Sequence, residues 1–579
     1  MEKHLRSFFL VVLAAAFALS CAPTRADRSP ATGETSAVSQ AAAPSGPTPT
    51  LILVTRTEPR TLLPKTLNVG VIGDGPSARR LFSAGLFLVD AREVPSPYLV
   101  EELPRLGTDT WKLFPDGRME STYRLRPNLT WHDGAPLTAD DLAFAWKVFA
   151  DPALASIFTA TPQNLVEGTE VLDARTIVIK WSRPSPDADS MPLNRFQPLP
   201  RHILEAPYEQ GPAETFAVHP YWSREYVGAG PFKVDRWDAG VAIEASAFDG
   251  HALGRPKVDR IRLLWASDPN TVVASLLAGA VHTTIDAAIR FQQGEVLRNE
   301  WASSGAGRVL FSPIQTRYVQ VQFRPEYVNP AVIHDRRVRE AIMLAMDRKE
   351  LADALLGGQG VVAHVLYTEQ RENFADIDRT VKKYPYDPRR AEQVFADAGF
   401  LKGRDGFFAG ASGETFSPEM RALGGAAEEQ ELTALTDLLR RSGVNIQPMV
   451  VPTARAMDGQ YVATFPAFNT SQTSTGGDTP LVKLITSRIP GPNNRWSGTA
   501  LGGWSNAEYD RGHEAFTTLL DRSARNDVVV QMLKLVSEEL PVFPLYYNFQ
   551  VDAHTSTLSG VLGDDVSNVH EWRFISAPR

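Results

Sequence analysis

Two side-chain periods alternate along this chain from about Leu51 onward, and they never separate into different halves. LILVT at 51–55, TYRLR at 122–126, TIVIKW at 176–181, PFKVDRW at 231–237 and VDRIRLLW at 258–265 switch face every residue, as strands do. Between and after them run stripes of period 3.6: Leu142, Ala145, Trp146 and Phe149; Val338, Ala341, Ile342 and Ala345; Ala391, Val394, Phe395 and Ala398. Interleaved patterns of this kind predict a mixed α and β body. No segment recurs at a fixed period, so a solenoid or propeller is not indicated. A chain of 579 residues suggests about three or four units of packing.

The N-terminus reads differently. Lys3 and Arg6 precede a twelve-residue apolar run, Phe8 to Leu19, too short to span a bilayer and of the length of a signal core. It ends at Ser20-Cys21, and Cys21 is the sole cysteine. This start resembles a bacterial lipoprotein signal, which implies cleavage after residue 20 and lipid on Cys21. The usual leucine three residues before the cysteine stands here two before, and a plain secretory signal with an incidental cysteine is the alternative. Residues 21–50 are mostly Ala, Pro, Ser, Thr and Gly. They bury too little apolar surface to offset the entropy of ordering and read as a flexible tether.

The most chemical-looking stretch is LTWHDGAPLTADDLAFAW, 129–146. Asp133-Gly134 is a turn signal. Thr138 with Asp141 predicts a capping-box helix start, and Asp140 and Asp141 complement the helix dipole in the first turn. His132 has no second histidine at ligand spacing, so the segment is structural rather than a zinc site. Asp347 with Glu350, and Asp387 before Pro388, predict further capped starts; Asp335 opens another helix, whose Arg336, Arg337 and Arg339 lie off the buried stripe and are expected in solvent.

Several function classes drop out. Net charge is −8 with no basic run, which argues against nucleic acid. No G-x-S-x-G elbow, H-E-x-x-H, P-loop or CxxC occurs, and GVIGDG at 70–75 has the wrong spacing for a dinucleotide loop and no helix signal after it. No cofactor, metal site or catalytic residue is expected, though a hydrolase remains a minor alternative.

Ordered matches then carry a resemblance. TEPRTLLP (57–64), LFSAGLFLVD (81–90), YRLRPNLTWHDGAPLTADDLAFAWKVF (123–149), VGAGPFKVDRW (227–237), HALGRPKVDRIRLLW (251–265) with LLAGAVH, HDRRVREAIMLAMDRKEL (334–351), YDPRRAEQVFADAGF (386–400), WSNAEYD (504–510) and PVFPLYYNFQV (541–551) follow one another as in the extracytoplasmic solute-binding proteins of family 5. These serve ABC importers of peptides, dipeptides and nickel. The resemblance implies an α/β fold of the three-domain periplasmic-binding-protein type, class II-like: two lobes with a ligand cleft plus an extra α+β domain. Lobe I would take 51–94 with 217–307 and 549–579, the extra domain 95–216, and the other lobe 308–548. It implies a monomeric, non-enzymatic, lipid-anchored protein outside the cytoplasm. Such a protein takes a peptide-like or other small polar solute to an ABC permease; a receptor or carrier outside transport is the alternative on the same fold.

The family's peptide binders hold the ligand's amine with an acid in the segment matching NTSQTSTGGDTPLVKL, 469–484. Thr475 stands where that acid would fall, and Asp478 matches a second, less direct one. Thr473, Ser474 and Thr475 offer neutral hydroxyls instead, or form a solvated loop. Tyr318 and Gln320 share one face of the strand TRYVQVQF, either lining the cleft or packing into the lobe. Trp496 and Trp504 flank GTALGG (498–503) and either stack on a ligand or fill core and rim.

Overall fold

The computed structural model describes residues 49–65, 75–90, 94–155, 158, 162–191, 195–562 and 566–575. The leader (1–20), Cys21 and all but the last two residues of the tether lie outside that set. Among the described residues no helix is long and apolar enough to cross a membrane.

Each strand pattern read from the sequence becomes a strand, and most join one sheet of ten. Its order is Gln447–Val451, Glu419–Leu423, Phe468–Ser474, Gly307–Val321, Val542–Thr555, Thr283–Thr284, Thr50–Thr55, Arg260–Trp265, Ala242–Ala247, Phe232–Asp238. Thr50–Thr55 runs parallel to both its neighbours, as does Glu419–Leu423 to its own. The two groups are the sheets of two α/β lobes. They are joined through the two longest strands, Gly307–Val321 and Val542–Thr555, which pair antiparallel from Gly307↔Thr555 to Gln320↔Val542. The halves of this ribbon belong to different surroundings: His554 pairs with Thr283 on one side, and Gln315–Val321 pairs with Ser474–Phe468 on the other.

The extra domain is a separate antiparallel sheet of four strands, ordered Trp111–Leu113, Met119–Arg124, Thr176–Trp181, Val166–Asp173. The helix Ala139–Ala150 covers it, with Leu142, Ala145, Trp146 and Phe149 buried as the stripe predicts. The Asp141 carboxylate accepts from the Thr138 amide at 2.8 Å, which is the capping reach, and from the Arg201 amide at 2.9 Å. His132 is 5% exposed and pins two backbones: Nδ1 accepts from the Gly228 amide at 3.2 Å and Nε2 donates to the Gly230 carbonyl at 3.0 Å. Burial pushes its pKa down to about 4, so it is neutral and structural.

Two expectations need correction. Arg339 is 2% exposed rather than solvated: it lies over the Phe323 ring and donates to the carbonyls of Ile333, His334 and Glu539. Its neighbours Arg336 and Arg337 are exposed. A short helix, Pro76–Arg80, does follow Gly75. Its first amides are not open to a phosphate, because the buried Asp286 carboxylate already accepts from Ser77 at 2.9 Å and Ala78 at 2.8 Å.

Candidate ligand-binding crevice

The long ribbon is irregular at its middle. Pro313 faces Phe549 but Gln315 faces Asn548, so Ile314 is an extra residue on one strand; Arg317 faces Tyr546 but Tyr318 faces Pro544, so Leu545 is extra on the other. Two bulges on opposite strands weaken the ladder and increase its twist where it passes between the lobes.

The segment expected to hold a ligand amine reaches this point. Thr475 donates from its amide at 3.0 Å and its hydroxyl at 3.1 Å to the carbonyl of Ile314, the bulged residue. Its hydroxyl therefore ties the loop to the ribbon. Thr473 is buried, opposite Thr316, with its hydroxyl on the Ser474 carbonyl; Ser474 is exposed and accepts from the Gly476 amide. Asp478 accepts from Arg195 of the extra domain at 3.0 Å, and the other arm of Arg195 holds Asp187 at 2.6 Å.

The remaining expected residues lie elsewhere. Tyr318 is fully buried among Leu366, Tyr367, Trp504 and Val542, inside the lobe rather than on its crevice wall. Gln320 is 3% exposed, accepts from Asn469 at 3.3 Å, and lines a small pocket with Trp504, Gly502, Gly503 and Lys483. Burial holds the Lys483 pKa below its ordinary value. Trp504 meets Tyr509 edge-on at 5.2 Å. Trp496 sits apart in a left-handed conformation, its ring 6.5 Å from Tyr327.

Sequence reasoning missed a buried charged cluster beside the bulges. On the opposite face of the ribbon from Tyr318, Arg317 forks onto Glu431 at 2.8 and 2.5 Å and onto Gln472 at 3.1 Å, while the Tyr546 hydroxyl donates to Glu431 at 2.5 Å. Arg317 and Glu431 side chains are 8% and 2% exposed. Burial alone would lower the Arg317 pKa, but the Glu431 carboxylate outweighs it and holds it above its ordinary value. Burial and Glu431 both push the Tyr546 phenol up. A signal was present: Glu431 precedes Leu435 and Leu438 at i+4 and i+7, so an acid stands on the apolar stripe of the helix Ala426–Arg441. Arg195 lies in a loop and offers no such pattern. Among the described residues no cluster of three or more metal-ligating side chains occurs.

Two α/β lobes joined by a bulged two-strand ribbon, with a third domain alongside, define the bilobal solute-binding class of protein. The sequence agrees with that fold. Residues 102–486 match the family model for bacterial extracellular solute-binding proteins, family 5 middle, and the chain belongs to that family. A Brucella ovis protein named for ABC-transporter peptide binding is 27% identical over 61% of this chain and 62% of its own length, so the chain spans a little under two thirds of that relative. The oligopeptide-binding protein AppA of Bacillus subtilis, solved with a nonapeptide, superposes with TM-score 0.67 at 20% identity, covering 91% of this chain and 99% of that one. NikA of Brucella suis, solved with Fe(III)-EDTA, superposes with TM-score 0.71 at 17% identity, over 91% and 100%.

Proposed function

We propose that this chain is the solute-binding component of an ABC importer. It captures a peptide-like or other small polar solute outside the cytoplasm and passes it to a membrane permease. In this reading residues 1–20 are removed, Cys21 carries lipid, and residues 21–50 tether a monomeric body to the membrane. The moving parts are lobe I (51–94, 217–307, 549–579) and the second lobe (308–548), with 95–216 riding beside them. The observation that carries the reading is the ribbon, doubly bulged at Ile314 and Leu545 between the two sheets. Family membership supports it, as do the names of relatives concerned with peptide binding. A solute touching both lobes contacts both only when they are shut, so its binding energy favours the shut form. No chemistry on the solute is needed.

Native mass spectrometry of the full chain purified from its own membranes, followed by small-angle scattering with and without the retained solute, tests this. A single retained solute and a smaller radius of gyration on rebinding are expected. Unchanged dimensions with every solute offered overturn lobe closure. Cys21→Ala is expected to move the protein from the membrane fraction to the soluble one; retention overturns the anchor.

A further inference from the structure

The small pocket at Gln320 lies within the second lobe, away from the bulges. Gln320 is six residues along its strand from Ile314, about 20 Å. Gln320, Lys483 and Trp504 line the pocket together with the buried Leu484, Ala500 and Val542, and no acid lines it. Gln320 and Trp504 are 3% and 5% exposed, and Lys483 is half-buried. The Gln320 carbonyl oxygen accepts from Asn469 at 3.3 Å, which leaves the amide nitrogen to face the other way. That nitrogen, the Trp504 indole N–H and the Lys483 ammonium make no hydrogen bond or ion pair with any described residue. Donors on buried side chains are nearly always paired. None of these three is sealed from water, so a ligand can reach them.

The walls are fixed by bonds of their own. A Cβ on Gly502 would run into the Val321 carbonyl oxygen, so the loop approaches the strand closely, and the Gly502 carbonyl accepts from the Phe323 amide at 2.7 Å. Gly503 then turns with φ of +71°. The Arg324 guanidinium holds the same loop through the carbonyls of Leu501 at 2.9 Å and Pro490 at 3.0 Å. The Thr499 hydroxyl donates to the carbonyl of Val482, the residue before Lys483, at 3.2 Å. Tyr509, edge-on to Trp504, donates to the Leu481 carbonyl at 2.9 Å. The three donors thus sit on a frame that needs no rearrangement to receive a ligand.

We propose that Gln320, Lys483 and Trp504 form a second binding site, enclosed by one lobe, for a short monocarboxylate. One ammonium matches one carboxylate charge, and the two neutral N–H donors serve its remaining lone pairs. The apolar walls of Leu484, Ala500 and Val542 suit a tail of a few carbons. A dianion would bring a second charge with no cation to meet it, and an amine would find donors only. Because one lobe supplies the whole site, filling it stabilises that lobe without closing the protein.

Thermal unfolding of the full chain at fixed ionic strength, titrated separately with propionate, inorganic phosphate and propylamine, tests this. A saturable rise in Tm is expected with propionate, and none with the other two. K483M keeps the apolar stem, removes the charge, and is expected to raise the propionate concentration for half-maximal stabilisation by about tenfold. R336Q, removing an exposed arginine on another helix, is expected to leave it unchanged. The indole N–H resonance that W504F removes is expected to shift with propionate in the parent and in R336Q, and to stay in place at the same concentration in K483M. No saturable propionate effect, an equal effect of phosphate or propylamine, K483M behaving like R336Q, or an unmoved Trp504 resonance overturns the proposal. The radius of gyration is expected to stay constant as propionate binds; compaction on binding would place the propionate between the lobes and overturn it as well. Lobe closure on the transported solute is a separate measurement and stands or falls without it.

Discussion

Arg317, Glu431 and Tyr546 show what a buried charge demands. Glu431 is 2% exposed, and its two oxygens are satisfied by a guanidinium fork and a phenol. Removing one partner strands the other in low dielectric. Glu431→Gln is therefore expected to cost about 3 kcal/mol in urea unfolding, whereas the double change Arg317→Met with Glu431→Leu recovers most of it, since apolar replacement of a whole buried pair is often neutral. The buried histidines act in the other direction. Burial lowers the pKa values of His132 and His251 to about 4. In the unfolded chain both titrate near 6.5. Between those values the unfolded state binds more protons, so the stability they allow is complete above about pH 6.5 and is lost as pH falls toward 4. Each site contributes about 3 kcal/mol to that loss. Denaturation midpoints measured from pH 7.5 to 4.5 are expected to fall, and His132→Gln to fall less steeply; a flat profile in the parent refutes the assignment.

Helices were legible because their ends are written locally. The Asp347 carboxylate accepts from the Glu350 amide at 2.8 Å, and Asp387 from Arg390 at 2.9 Å, as capping residues do. Gly357 and Gly399 end those helices with φ of +54° and +88°. What could not be read was which carbonyls the buried arginines would find: Arg339, Arg348 and Arg324 each hold several, and each reaches one remote in sequence, 200, 196 and 166 residues away. Thr475 belongs with them. Its bond to Ile314 clamps a loop to a bulge 161 residues away, so a threonine that looked like a lost ligand anchor is a fastening of the ribbon. Thr475→Asp would set a carboxylate against the Ile314 carbonyl. It is expected to lower stability by about 1–3 kcal/mol, measured by urea unfolding. Thr475→Ser keeps the hydroxyl and is expected to unfold at nearly the parent midpoint. An aspartate variant as stable as the parent would show that the position is free to anchor an amine.

At the scale of the whole molecule, two bodies meet at Arg195. Its guanidinium joins Asp187 of the extra domain to Asp478 of the second lobe, and Arg525 of that lobe stands 4.0 Å from Asp187. No local pattern predicts such a meeting, because Asp478 and Arg525 lie hundreds of residues from Arg195 and Asp187 and only the assembled fold brings them together. That is also why the sequence leaves Tyr318 and Gln320 open between cleft and core: alternation puts them on one face, but which body covers that face is a tertiary fact. The Arg195 contacts have a mechanical consequence. The groups involved are about one third exposed, so salt screens them. If they help hold the second lobe against the extra domain, the solute-free protein is expected to be more compact at low ionic strength than in half-molar sodium chloride. The size of that change is expected to shrink in Arg195→Gln and in Asp478→Asn, and the double variant to expand no further than either single one, because both substitutions open the same contact. Small-angle scattering at two salt concentrations on the four proteins measures it. Equal salt responses in parent and variants would mean that Arg195 joins bodies already held together by their apolar contacts, and that the barrier to opening lies in the bulged ribbon alone.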